Sequence, residues 1–157
     1  MLKGLLYLSI LLICSLTTIN GRCHKKKQIV SISTGTSFGK CIGYCRRSIN
    51  ITSNPYQLLA IKEPNYPQPS YPNVEQQNSY SSQQWNQLVS LVDLKQFRLL
   101  NETIGCPDCA DGGAEWIQID WPDINKKVTF EYGQSIENFE QFINQLKQLR
   151  EQYANNL

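Results

Sequence analysis

The sequence predicts an α+β domain: a mostly antiparallel sheet built from two hairpins, in the order strand–strand–helix–strand–strand–helix, with the helices packed on one face. Three observations predict it. Apolar and polar residues alternate over residues 28–33, 44–52 and 114–132, the period of half-buried strands. Two other stretches, 82–93 and 136–153, space their apolar residues by three and four, as a helix lying on a core does. A length of 157 residues suits one domain rather than two.

Residues 1–21 read as a signal peptide. Lys3 gives a positive start, residues 5–13 are apolar apart from Tyr7 and Ser9, and small or polar residues follow to Gly21. The run falls short of the roughly twenty apolar residues that a membrane-crossing helix needs, so a cleaved leader is expected rather than an anchor, with no membrane span after its removal. The protein is therefore expected to be secreted. Residues 22–28 form a basic tail holding His24 and Lys25, Lys26 and Lys27, which reads as a solvated terminus.

The single secreted domain is expected over 29–153. Ile29, Val30 and Ile32 mark the first strand within 28–33. Residues 34–43, rich in Gly, Ser and Thr, read as a connection. Ile49 and Ile51 then mark a second strand over 44–52, and Leu58, Leu59 and Ile61 extend the sheet. Over 63–82, Pro64, Pro67, Pro69 and Pro72 alternate with Tyr66 and Tyr71. Proline at that density forbids a helix and cannot donate within a central strand, so a long extended loop is expected, with Tyr66 and Tyr71 as its binding candidates.

Trp85, Leu88, Val89 and Val92 form one helical stripe over 82–93, with Ser81 or Ser82 as its cap, and Leu94, Phe97 and Leu100 continue it less regularly. A hairpin follows: Trp116, Ile117 and Ile119 on one strand, a turn over 121–125, and Val128, Phe130 and Tyr132 on the other. Ser135 is expected to cap a last helix with Glu137 in its first turn. That helix carries a stripe of Ile136, Phe139, Phe142, Ile143, Leu146, Leu149 and Tyr153.

Composition narrows the function classes. The net charge is +2, and Lys3 leaves with the leader, so no nucleic-acid partner is expected from a chain without a clear basic excess. His24 is the single histidine and lies in the tail, which leaves little basis for a Ser-His-Asp or Cys-His site. Gly35, Gly39 and Gly43 lack the helix and lysine of a phosphate-binding loop. Asn50-Ile51-Thr52 and Asn101-Glu102-Thr103 are sequons, so Asn50 and Asn101 are glycosylation candidates, Asn50 only if its strand face meets solvent.

The cysteines carry the most chemistry. Cys41 and Cys45 form one close pair and Cys106 and Cys109 another, and an oxidising compartment favours disulfides. Spacing alone does not choose between bonds within the pairs and crossed bonds between them. Cys23 is left over, free or linking a Cys23–Cys23 dimer. The rival chemistries are a zinc site from the four thiolates, a thiol redox site at Cys106-Pro107-Asp108-Cys109, and a calcium loop from Asp108, Asp111 and Glu115.

The segment Phe38-Gly39-Lys40-Cys41-Ile42-Gly43-Tyr44-Cys45, followed by an alternating strand, resembles the start of an uncharacterised family of small secreted domains. That family opens with a hairpin carrying Phe-Gly-x-Cys-x-x-Tyr and ends with a second hairpin and a helix. The resemblance spans about residues 29–149 and implies a fold, with no activity attached. The expected function is a secreted, disulfide-stabilised binding domain without catalysis or cofactor, an inhibitor-like role being one form of it. Its partner would be an extracellular protein or a small ligand. A thiol redox or zinc-binding domain using Cys106 and Cys109 is the alternative.

Overall fold

The computed structural model describes residues 28–157; the expected leader at 1–21, Cys23, His24 and the tail lysines lie outside the described residues. The strands are β1 (Ser31–Ser37), β2 (Arg46–Ser53), β3 (Tyr56–Glu63), β4 (Val74–Ser79), β5 (Thr103–Ile104), β6 (Ala114–Trp121) and β7 (Ile124–Glu131). The helices are α1 (Ser82–Ser90), α2 (Leu94–Leu99) and α3 (Glu140–Tyr153), with a 3-10 turn at Cys109–Asp111.

The two-hairpin arrangement is not what forms. All seven strands join one sheet in the order β4-β3-β2-β1-β6-β7-β5, and the parallel β5–β7 pair makes it mixed. Strand outweighs helix, 36% against 25%, so the fold is mostly β. What unites the halves is β1, which pairs antiparallel with β2 on one side and β6 on the other. Every residue from Ser31 to Ser37 has a partner on both flanks, which carries the strand through Thr34, Gly35 and Thr36, where the composition reads as a connection.

Gly35 has a packing reason to be glycine. The indole of Trp116, its partner on β6, lies against it, and an added Cβ would come within 2.6 Å of that ring. Lys127 on β7 places its ammonium 4.4 Å from the same ring's centre.

Register puts Ile32, Ile49, Ile51, Leu58, Ile117, Ile119 and Val128 on one face, all buried. They share a core with Trp85 and Leu88 of α1, Phe97 of α2 and Phe142, Ile143, Leu146 and Leu149 of α3. Asn50 falls on the other face of β2, half-buried, its Oδ1 accepting from the Ser33 hydroxyl at 3.1 Å.

Two local readings also change, and one holds. The segment 63–82 is not loop throughout: β4 runs along β3 inside it, and Tyr80, only 5% exposed, joins the core. Polar residues suffice there because β4 is an edge strand, with most of its side chains exposed. Ser135 does not cap the last helix. Ile136 and Phe139 pack in the core before the helix begins, Asn138 takes φ 68°, and α3 starts at Glu140. Ser81 does cap α1, through a reciprocal box in which Ser81 Oγ accepts from the Gln84 N–H and the Gln84 side chain from the Ser81 N–H.

Candidate functional site

The β1–β2 connection, the end of β3 and the start of β6 lie at one end of the sheet, and three loops flagged by the sequence meet there. The first is a five-residue ring closed by a disulfide between Cys41 and Cys45, whose Cα atoms are 5.5 Å apart. The second holds the Cys106–Cys109 disulfide, also 5.5 Å between Cα atoms. Both bonds lie within the close pairs, which answers the pairing that spacing left open. The third is the proline-tyrosine segment between β3 and β4.

Named contacts tie the loops together. The Gly39 N–H donates to Asp108 Oδ1 at 3.3 Å, and Lys40 Nζ lies 3.1 Å from Asp111 Oδ2. Phe38 packs on Gly113 so closely that a Cβ there would come within 2.5 Å of its ring, and that ring meets Tyr132 edge to face, 4.9 Å between ring centres. From the third loop, Asn65 Nδ2 donates to the carbonyls of Phe38 and Gly39 at 2.7 and 3.0 Å. Tyr71 stands edge-on to Tyr44 at 5.5 Å and lies against Gly43, whose φ of 87° suits glycine.

The surface this builds is mixed. Ile42, at the tip of the first ring, is 85% exposed, and Tyr66 is 59% exposed. A cavity of about 520 Å³ opens among Arg46, Asn65, Tyr66, Gln68, Tyr71 and the neighbouring prolines. Arg46 is held in place by Glu63 at 3.2 Å and by the Pro64 carbonyl at 3.0 Å. Gln68 lines the same cavity, and its Nε2 is buried without a hydrogen-bond partner.

The remaining candidates fall elsewhere. Asn101 is exposed in the link from α2 to β5, and Asn50 lies in mid-sheet. The calcium grouping is not assembled. Asp108 accepts from Gly39 and Gly113, Asp111 pairs with Lys40, and Glu115 is buried with Arg150. Among the described residues no group of three or more His, Cys, Asp or Glu side chains is arranged to hold a metal ion. The Cys106–Cys109 pair is exposed and sits beside a 3-10 turn of three residues, not at the start of a long helix. Asp108 and Asp111 belong to the same short turn, and Glu131 accepts from the Cys106 N–H at 2.8 Å. Such carboxylates do not supply the electropositive setting in which thiolates become fast nucleophiles.

Ile42, Arg46 and Gln68 are the site residues that sequence reasoning missed. Ile42 did carry a signal: it is a large hydrophobe inside a closely spaced cysteine pair, where a ring this small has no interior to bury it. Arg46 and Gln68 carry none, because their positions depend on how the proline segment folds back. Compared with known proteins, the sequence matches no family model and no curated protein.

Proposed function

We propose that this is a secreted binding module that grips a protein partner with the end of its sheet, using the Cys41–Cys45 ring and the proline-tyrosine loop together. The observation that carries the reading is Ile42, held 85% exposed on a closed ring whose Gly43 and Tyr44 pack against Tyr71 in the cavity wall. A large apolar side chain on a rigid ring loses little conformational freedom on binding, and aromatic neighbours are the usual anchors of protein interfaces. The ring is also the part of the chain that carries the likeness to the uncharacterised secreted family. An inhibitor would present such a loop to the cleft of its target.

The zinc alternative needs free thiolates, and all four paired cysteines are engaged in sulfur–sulfur bonds. The acidic surroundings of Cys106 and Cys109 favour a structural or regulatory bond over a catalytic one.

The test is comparative capture from the extracellular fluid of the source. The mature protein is immobilised beside an Ile42→Asp/Tyr66→Ala variant whose melting temperature matches the parent. A protein retained by the parent and lost by the variant is the expected result. Equal retention, or retention by neither, overturns the reading.

A further inference from the structure

We infer that the Cys106–Cys109 disulfide is an exchange site for external dithiols, and that opening it unfastens the neighbouring Cys41–Cys45 ring. What this would do to partner capture rests on the binding function proposed above; the coupling between the two loops does not.

Access separates the two bonds. Exchange requires a thiolate to approach a sulfur atom directly, so a buried bond is shielded. Cys106 and Cys109 are both exposed, whereas Cys45 is 0% exposed and Cys41 half-buried. A reductant reaches the second loop first.

The backbone of that loop is held in an unusual shape. Asp108, Ala110 and Asp111 have φ values of 61°, 53° and 59°, in the left-handed region that side chains disfavour. Residues stay there only when surrounding constraints over-determine them. Here the constraints are the disulfide and four hydrogen bonds: Asp108 N–H to the Gly113 carbonyl at 3.0 Å, Gly113 N–H to Asp108 Oδ1 at 3.2 Å, Cys109 N–H to the Cys106 carbonyl at 3.1 Å and Gly112 N–H to the Cys109 carbonyl at 3.0 Å. Removing the covalent one lets these residues return to ordinary conformations, and the positions of their side chains go with them.

Those side chains fasten the ring. Asp108 Oδ1 accepts from Gly39, and Asp111 holds Lys40. Gly39 and Lys40 immediately precede Cys41, so relaxation of the loop from Cys106 to Gly113 withdraws two of the contacts that fix the ring carrying Ile42.

The chemistry balances with a dithiol as the reductant. One of its thiolates attacks an exposed sulfur, giving a mixed disulfide and releasing the other cysteine, which takes a proton. The second dithiol sulfur closes on the first, leaving Cys106 and Cys109 as two thiols and the reagent as a disulfide. Two electrons pass to the protein, and an oxidant of the opposite poise reverses the step.

The test uses the mature protein with dithiothreitol as probe. After brief treatment over a range of concentrations, free thiols are trapped with iodoacetamide and located by mass spectrometry. Hydrogen exchange is then followed in residues 38–45. Cys106 and Cys109 are expected to be alkylated at concentrations that leave Cys41–Cys45 intact, with the Gly39 amide exchanging about tenfold faster in the opened protein. An Asp108→Ala variant, with both disulfides closed, is expected to show the same acceleration without reductant. Opening of Cys41–Cys45 first or simultaneously overturns the exchange site, and unchanged exchange in 38–45 after selective opening or in the variant overturns the coupling. Both readouts are independent of any partner, so a failed capture experiment sinks the binding reading and leaves this one standing.

Discussion

Arg150 lies on the buried side of α3 between Leu149 and Ala154, only 4% exposed. Its guanidinium donates to Glu115, itself 3% exposed, and to Thr34 Oγ1 at 2.9 Å. The Thr34 hydroxyl donates in turn to the Trp116 carbonyl at 2.9 Å, and the second Glu115 oxygen accepts from the Gly133 N–H at 3.3 Å. Every partner is satisfied, so the cost of burying two charges is offset, and the pair fixes where α3 sits on β1 and β6. Removing one member strands the other in the core. Glu115→Ala is expected to lower unfolding stability in urea by about 3–5 kcal/mol, while replacing both residues with apolar ones of similar volume recovers most of it. A loss below about 1 kcal/mol would show the pair to be solvated.

Tyr80 gives the molecule a pH dependence at the alkaline end. Burial, with Tyr153 adding to it, pushes its hydroxyl from 10.0 up to about 12. The unfolded chain therefore ionises this tyrosine at lower pH than the folded one does. The resulting stability is fully present below pH 10 and is lost as pH rises toward 12, amounting to about 2–3 kcal/mol. Melting curves at pH 9 and 11 are expected to show a drop that Tyr80→Phe reduces.

At the scale of elements, legibility follows the kind of environment each one meets. The β6–β7 hairpin shows in the sequence because each strand has one buried face, with Ile117, Ile119, Val128 and Phe130 alternating against polar residues. The stripe of α3 shows for the same reason. Its first turn does not, because Ile136 and Phe139 keep the helical spacing while belonging to an irregular approach. An apolar period reports burial, and burial here begins before the helix does. Strand β4 left no trace: Glu75, Gln76 and Gln77 are all exposed, so no face selects hydrophobes. Strand β5 has two residues, too few for any period. At the site, the cysteine pairs and both tyrosines were legible as residue types, whereas their meeting at one end depends on pairings between segments far apart in sequence.

For the whole molecule, the decisive contact is β1 against β6, since it turns two hairpin systems into one sheet. No local pattern encodes it; the alternation in each strand says which face is buried and nothing about which edge meets which. The same architecture sets the limits of the proline-tyrosine segment as a detachable loop. Deleting residues 63–80 removes β4 and the core residue Tyr80 together, and is expected to unfold the domain or lower its melting temperature by more than 10 °C, about 2 kcal/mol or more in a domain of this size. Replacing only residues 66–72 with a short Gly-Ser link is expected to keep the fold, by circular dichroism and melting, while removing Tyr66 and Tyr71. A folded 63–80 deletion would show that β4 adds nothing to the sheet.

The central place of β1 also orders events on the ribosome. The meander β1-β2-β3-β4 emerges first, and its strand order needs nothing made later. The partner of β1's other edge, β6, is translated about eighty residues afterwards, several seconds at about 5–20 residues per second. For that interval the nascent chain presents what will become the middle of the sheet as a bare row of amides and carbonyls. Such an unpaired edge is one to which a chaperone, or a neighbouring nascent chain, can add a strand before β6 is made.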